Sequence, residues 1–338
     1  MFRFYAPQMW QLIDKERFGP AFGADVGQRA RKGAKGETAA NDDQGEALGA
    51  ETAPIPLPPD AAQHARAVRL RPGDRFSLFD GEGNEVLCEL SFARRRDAEF
   101  APLRRIEARA ESPLRCVVVQ AVCADDKMDW ALQKGTELGA AAFAPFLAQR
   151  GALKLDAARL AKKRERYAKI VASACEQCGR SRLPPVAEPL PMERALAQLG
   201  QLERQAERLG LGAGRATEPG LKAKAGMEAR EKTATEEEDG ERNEGTGREG
   251  EEKKPLRLML DPRAAHRLDD LPSRARLCSI LIGPEGGFER EETALAVERF
   301  GFTALRLGPR VLRTETAAMA LLACLQMRWG DLSEPAAG

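Results

Sequence analysis

Leu277-Cys-Ser-Ile-Leu-Ile-Gly-Pro-Glu-Gly-Gly-Phe288 starts as an unbroken apolar run and ends in a glycine-rich loop. A short apolar run closed by a turn predicts a strand buried on both faces, over Leu277–Ile282. The spacing beyond it predicts a helix from Glu289 to Phe300. The same alternation continues on both sides. Upstream lie strand Arg115–Cys123, helix Lys127–Leu138 stopping at Gly139, strand Ala142–Leu147, helix Asp156–Ala174 and strand Leu256–Leu260. Downstream come strand Ala304–Leu307 and helix Thr314–Trp329. Strands alternating with helices predict an α/β fold around a mainly parallel sheet.

Before residue 111 the texture differs. Short strand candidates, Arg75–Leu78, Glu85–Phe92 and a run near Phe100–Ile106, are separated by Arg71-Pro-Gly-Asp74 and Asp80-Gly-Glu-Gly-Asn84. This spacing predicts a small β-barrel. The expected division is therefore 1–110 and 111–331. Arginines gather in the first part, at 66, 69, 71, 94–96 and 104–105. They suit either a solvated face with packed stems or contact with RNA phosphates, and the residues alone leave both open.

Two stretches depart from this pattern. Residues 201–254 hold 11 basic and 14 acidic side chains, and 23–50 hold 4 and 5. Neither offers enough apolar surface to offset its ordering entropy, so both are expected as inserts, disordered or loosely helical. The 256 residues outside them carry about +5, against +1 for the whole chain; that excess is compatible with a polyanionic partner. Seven cysteines and two histidines, His64 and His266, give neither a disulfide framework nor a multi-histidine metal site, and no metal is expected. Cys175 and Cys178 fall at a helix end. Without an apolar run near 20 residues or a secretory leader, the expected location is cytoplasmic, with no membrane partner.

Ligands of open α/β sheets sit at the carboxyl ends of the strands, where two unusual loops fall. Ile282-Gly-Pro-Glu-Gly-Gly-Phe288 lacks the Walker and dinucleotide fingerprints, and its Glu285 would repel a triphosphate. A ligand with hydroxyls or positive charge, such as S-adenosylmethionine, suits it better. Leu307-Gly-Pro-Arg-Val-Leu-Arg-Thr-Glu-Thr-Ala317 runs into the last helix, with Thr314 as expected N-cap and Glu315 in the first turn. Capping does not explain Arg310 and Arg313, which suit phosphates or a carboxylate.

These loops, with Arg3-Phe-Tyr-Ala-Pro7, Lys127, Gln133-Lys-Gly-Thr-Glu-Leu-Gly139 and Ala174-Cys-Glu-Gln-Cys-Gly-Arg180, resemble the RsmE family. These are SPOUT-superfamily methyltransferases that modify N3 of one uridine in 16S ribosomal RNA of the small subunit. The resemblance implies a PUA-like RNA-binding barrel followed by a SPOUT domain with a deep trefoil knot, in a homodimer. It places S-adenosylmethionine among Leu260, Ile282, Gly283, Glu285, Gly286, Gly287, Leu307, Gly308, Val311, Leu312 and Thr316. It turns Arg313, Glu315, Glu137, Lys127, Lys134, Glu176 and Gln177 toward the uridine, and RNA contacts are expected from Arg3, Arg66, Arg69 and Arg310 as well. The chain departs from the family pattern in the two inserts and in the place of His64, one position displaced.

Uridine N3 holds a proton near neutral pH, so a base must remove it. The expected acceptor is Glu315 before Glu137, with Arg313 stabilising charge on the base carbonyls. The rival readings are a non-catalytic RNA-binding ribosome assembly factor, and a nucleotide-dependent α/β enzyme disfavoured by the missing phosphate fingerprint.

Overall fold

The computed structural model describes residues 1–13, 54–93, 97–107, 111–151, 156–209 and 254–333. The expected insert 23–50, and 210–253 of the second insert, lie outside the described residues.

The first sheet has five strands: β1 (Phe2–Tyr5), β2 (Ile55–Pro56), β3 (Arg75–Phe79), β4 (Glu85–Ala93) and β5 (Ala98–Ile106), in the order β1-β3-β4-β5-β2. β1 runs parallel to β3 and the other pairs are antiparallel. Inward side chains of alternating strand positions, Phe4, Phe76, Leu78, Val86, Cys88 and Phe100, meet Met9 of the short helix α1 (Met9–Leu12). They also meet Ala61, Ala62 and Ala65 of α2 (Pro59–Ala67), whose alanine face lets the helix lie close against the sheet. Pro59 starts α2, where its missing N–H leaves no bond unmade.

The second sheet has six strands: β6 (Arg115–Ala121), β7 (Ala140–Leu147), β8 (Leu190–Pro191), β9 (Leu256–Leu260), β10 (Leu277–Ile282) and β11 (Thr303–Leu305). Their order is β11-β9-β10-β6-β7-β8, and every neighbouring pair is parallel. Alternate residues of β6 face opposite layers. Cys116 and Val118 join Met128, Leu132, Tyr167, Val171, Leu321, Leu322 and Leu325. Those come from α3 (Asp125–Glu137), α4 (Ala157–Cys178) and α7 (Thr314–Trp329). Val117, Val119 and Ala121 join Leu196, Leu199, Leu202 and Ala206 of α5 (Met192–Leu209), and Ala296 and Phe302. Helices cover both faces, which is why the strands read as continuous apolar runs.

Several expected element bounds change. Residues 201–209 belong to α5 and not to an insert: Leu202 and Ala206 are buried, and Glu203 accepts from Arg257 (2.7 Å) and from Ser279 Oγ (2.8 Å). A charge count over the stretch hid the apolar side of this amphipathic helix. α4 runs on to Cys178, where Gly179 takes the left-handed cap at φ 90°. The helix expected over Glu289–Phe300 is α6 (Arg290–Ala294), which continues as a π-type turn over Leu295–Arg299.

A buried polar network joins the two sheets. Arg3 donates to Glu85 (2.8 and 2.7 Å), to Ser181 Oγ (2.9 Å) and to the Cys175 carbonyl (3.0 Å). The Ser77 and Ser181 hydroxyls both donate to Glu85 at 2.6 Å. Burial alone would raise the Glu85 pKa, but Arg3, Ser181 and Ser77 outweigh it and hold the carboxyl below its ordinary value. Arg180 donates to Glu111 (2.6 Å) and to the Thr136 and Ala140 carbonyls (3.0 and 2.9 Å). Glu176 accepts from Tyr5 N at 2.8 Å, and its other oxygen lies 3.2 Å from His64 Nδ1. Arg3 and Glu176, expected toward RNA and the uridine, thus both make their contacts inside this joint. His64 lies on α2, its side chain 40% exposed and its ring 5.0 Å from Phe4.

Candidate functional site

Because the second sheet is parallel, the ends of β6, β9, β10 and β11 lie on one edge. The chain leaves β6 toward β7 on one side, while β10 and β9 occupy the other. That reversal between β10 and β6 is where an open α/β sheet forms its ligand crevice.

The loop after β10 is held from several directions. The Gly283 carbonyl accepts from Thr314 Oγ1 at 2.7 Å. A Cβ on Gly283 would lie 2.9 Å from the Phe288 ring, which stacks on Phe146 at 6.4 Å between centroids. The Gly286 carbonyl accepts from Arg150 Nη1 at 3.0 Å. Gly287 takes φ +71° with open space where a Cβ would be, so glycine serves the backbone there. Glu292 then caps the next helix, accepting from Glu289 N and Gln149 N, both at 2.9 Å.

Glu285 pairs with Lys127 at 2.7 Å, and that ammonium holds the carboxyl below its ordinary value. Cys123 lies close by. Burial pushes its thiol up to about 12, with Glu285 and Glu315 adding to the rise. Cys123, Lys127, Glu285 and Glu315 thus form one electrostatic cluster at the switch point.

The loop after β11 turns at Gly308, φ +69°, again with open space at the Cβ position. Arg310, Val311 and Arg313 are exposed, Val311 at 81%, and Leu307 and Leu312 are half-buried. Thr314 was expected to cap α7. It is instead the first helical residue, and its side chain bridges to the other loop while Arg313 takes the cap position. Leu260 and Ile282 meet Ala317, Ala318 and Met319 in one apolar cluster, and Thr316 is exposed.

Among the described residues two buried acceptors here lack a hydrogen-bond partner, Gln120 Oε1 and Glu315 Oε2. Unpaired buried acceptors are rare and costly, and they call for donors from a ligand. The glycine-backed loops together with these acceptors suit a ligand rich in N–H and O–H groups.

The edge therefore gathers Lys127, Glu285, Gly283, Gly286, Gly287, Gly308, Arg310, Arg313 and Glu315. It does not gather Glu137 and Lys134, which pair with each other at 2.8 Å. Glu137 lies ten residues beyond Lys127 on α3, about 15 Å along the axis. Arg66, Arg69 and Gln177 are exposed near the sheet joint, Arg69 in the left-handed region at φ 60°. Sequence reading missed Gln120, Cys123 and Arg150. Only a polar residue at the end of an otherwise apolar strand could have flagged Gln120. Two clefts lie elsewhere. One of 420 Å³ is lined by Asp126, Asp129, Trp130, Gln133, Ile170 and Ser173. The other, of 270 Å³, lies between α5 and β7, and neither touches these loops.

The RNA methyltransferase domain model matches residues 110–225 and 248–326, and the RNA methyltransferase PUA domain model matches 57–103. A ribosomal RNA small subunit methyltransferase E from Mycobacterium bovis is 30% identical over 275 residues, 80% of this chain and 86% of that one. The Bacillus subtilis protein of the same name is 28% identical over 258 residues, 76% of this chain and 83% of that one. Among solved structures, the Neisseria gonorrhoeae ribosomal RNA small subunit methyltransferase E bound to S-adenosyl methionine aligns with TM-score 0.65 and 27% identity, covering 98% of this chain and 99% of that one. A putative methyltransferase from Legionella pneumophila, also with the cofactor, gives 0.63 and 29%, covering 83% and 94%. Two domain matches in this order, over the sheet whose edge carries the site, place this chain in the family of ribosomal RNA small subunit methyltransferase E.

Proposed function

We propose that this chain transfers a methyl group from S-adenosylmethionine to N3 of a uridine in 16S ribosomal RNA. The observation that carries it is Glu315: its Oε2 is buried without a hydrogen-bond partner among the described residues, and its charge acts on Lys127 and Cys123. The residues present fit the cofactor. Gly283, Glu285, Gly286, Gly287 and Gly308 would hold it, with Leu260 and Ile282 as apolar floor. When bound, it supplies an electrophilic methyl group on a sulfonium.

The chain's own residues do the rest. Glu315 accepts the N3 proton, giving the nitrogen a lone pair in line with the methyl group. Arg313, exposed at the cap of α7, stabilises the negative charge that develops on the uracil carbonyls. Lys127 neutralises Glu285, so the mouth is less repulsive to RNA. Arg66, Arg69 and Arg310 stay free for phosphates. The division into 1–110 and 111–331, the trefoil knot and the homodimer belong to the same reading. α7 supports the dimer, since its outward side carries Thr316, Ala320, Ala323, Cys324 and Met327, with Met327 55% exposed. Among the described residues no helix is long and apolar enough to cross a membrane.

Calorimetric titration of S-adenosylmethionine into wild type and Gly286→Trp tests the pocket. A Cβ at Gly286 already lies 3.2 Å from Arg150, so an indole there should abolish micromolar binding. Mass spectrometry of 16S RNA from small subunits that lack the modification, incubated with protein and cofactor, then tests the reaction. Methylation at any atom other than uridine N3 would overturn the proposal.

A further inference from the structure

Gln120 is the next-to-last residue of β6, 3% exposed, at the point where the sheet order reverses. Its hydrogen bonds fix which end of the amide is which. Thr314 Oγ1 lies 2.7 Å from the Gly283 carbonyl, which can only accept, so the hydroxyl proton is committed there. The same oxygen lies 2.8 Å from the Gln120 amide and must accept from it, which makes that atom the nitrogen. The Ala121 carbonyl, 3.2 Å from the same atom, requires a donor as well. The other atom is therefore the oxygen, buried and without a partner among the described residues. Turning the amide over would set its oxygen against an acceptor and help neither contact.

Two consequences follow from this orientation. The chain Gln120, Thr314, Gly283 ties the start of α7 to the loop after β10, so one side chain holds both glycine loops. A buried carbonyl oxygen is left at the place where those loops meet. We infer that Gln120 is a positioning and specificity residue: its nitrogen sets the two loops through Thr314, and its oxygen receives an N–H or O–H donor of the bound methyl donor. This rests on the proposed use of S-adenosylmethionine, whose adenine amino group, ribose hydroxyls and ammonium are all donors.

The test uses the full chain as wild type, Gln120→Leu, Gln120→Met, Thr314→Val and the double variant Gln120→Leu with Thr314→Val. Each is titrated with S-adenosylmethionine, melted without ligand, and assayed for KM and kcat on small subunits. Gln120→Leu should weaken cofactor binding by about tenfold or more, as expected when a ligand donor loses its acceptor. Its ligand-free melting temperature should fall only slightly, because losing the amide bonds to Thr314 and Ala121 is offset by removing a buried acceptor that has no partner among the described residues. KM for the cofactor should rise by a larger factor than kcat at saturation falls. Gln120→Met, of similar volume, should behave alike and covers the case of a misfolded leucine variant. Thr314→Val should also weaken binding, and the double variant should lose less than the sum of the two. A lowered melting temperature with unchanged affinity would make Gln120 purely structural and overturn the inference. Unchanged cofactor affinity with a lower rate on RNA would assign the donor to the base, and would overturn it too. If wild type binds no S-adenosylmethionine, the proposed function fails first and takes this inference with it.

Discussion

The joint between the two sheets and the carboxyl edge of the parallel sheet are built from the same side-chain types, used in opposite ways. At the joint, Glu85 accepts from Arg3, Ser77 and Ser181, and Arg3 donates further to the Ser181 hydroxyl and to the Cys175 and Arg180 carbonyls. At the edge, Glu315 and Gln120 each keep a buried oxygen without a partner among the described residues. Each such oxygen costs about 1–3 kcal/mol in the absence of a donor. A chain under selection for stability alone would remove that cost by substitution. Saturated polar groups hold the joint, whereas Glu315 and Gln120 leave acceptor capacity at the edge; Asp129 Oδ1 and Tyr167 Oη are buried without a partner elsewhere among the described residues. Arginines sort in the same way: Arg3 and Arg180 are enclosed, whereas Arg310 and Arg313 are exposed.

The largest expected effect breaks the edge alone. Glu315→Gln removes the proposed proton acceptor and should lower kcat by about 10²–10⁴, the usual contribution of a positioned base. Cofactor affinity should hold, because the amide keeps the shape, and chemical denaturation should show no loss of stability. Full activity in this variant would remove Glu315 from the mechanism. Next in size is the mirror experiment at the joint. Arg3→Ala leaves Glu85, 6% exposed, as an unpaired buried charge, and should cost about 3–5 kcal/mol by urea denaturation. Replacing both partners, Arg3→Met with Glu85→Leu, should recover much of that loss. If Arg3→Ala is as stable as wild type, the joint is not the closed network described above.

Acid sharpens the same contrast. Glu85 has a folded pKa below its ordinary 4.5, so its contribution is fully present above that value and is lost as pH falls through the lower folded value. Melting temperature should therefore fall on acidification below about pH 4.5, and the fall should be shallower in Glu85→Gln, which has no proton to gain. An equal fall in both proteins would move the acid sensitivity away from the joint.

The sequence made the edge more legible than the joint, for a physical reason. Strands Leu256–Leu260 and Leu277–Ile282 and helix Thr314–Trp329 have the bounds expected from apolar runs and turns. Chemistry in a loop needs glycines and charges that stand out beside such strands. Arg3, Glu85, Glu176 and Ser181 come from distant parts of the chain, and no local pattern reports that they meet. Glu176 and Arg3 were consequently assigned to RNA. Gln120 was overlooked because one polar residue in Arg115–Ala121 does not disturb an apolar run. The first nine residues beyond position 200 were lost to a charge count that ignored helical spacing.

The smallest effect expected lies on the surface, and it can still separate the two regions. Arg66 and Arg310 are exposed, so each is free to meet one phosphate. Replacing either with alanine should weaken RNA affinity only a few-fold near physiological salt, while the slope of log affinity against log salt shrinks by about 0.7–0.9 per lost contact. Stability should not change, since neither side chain is buried. Arg3→Ala is the control: the Arg3 side chain is 11% exposed and engaged by Glu85, Ser181 and the Cys175 carbonyl, so any of this protein that stays folded should keep the wild-type salt slope. The pair of measurements is informative because charge is conserved between the variants while location differs. A reduced slope in folded Arg3→Ala would mean that the joint faces RNA after all. The division between saturated structure and unsaturated site would then fail at its first member.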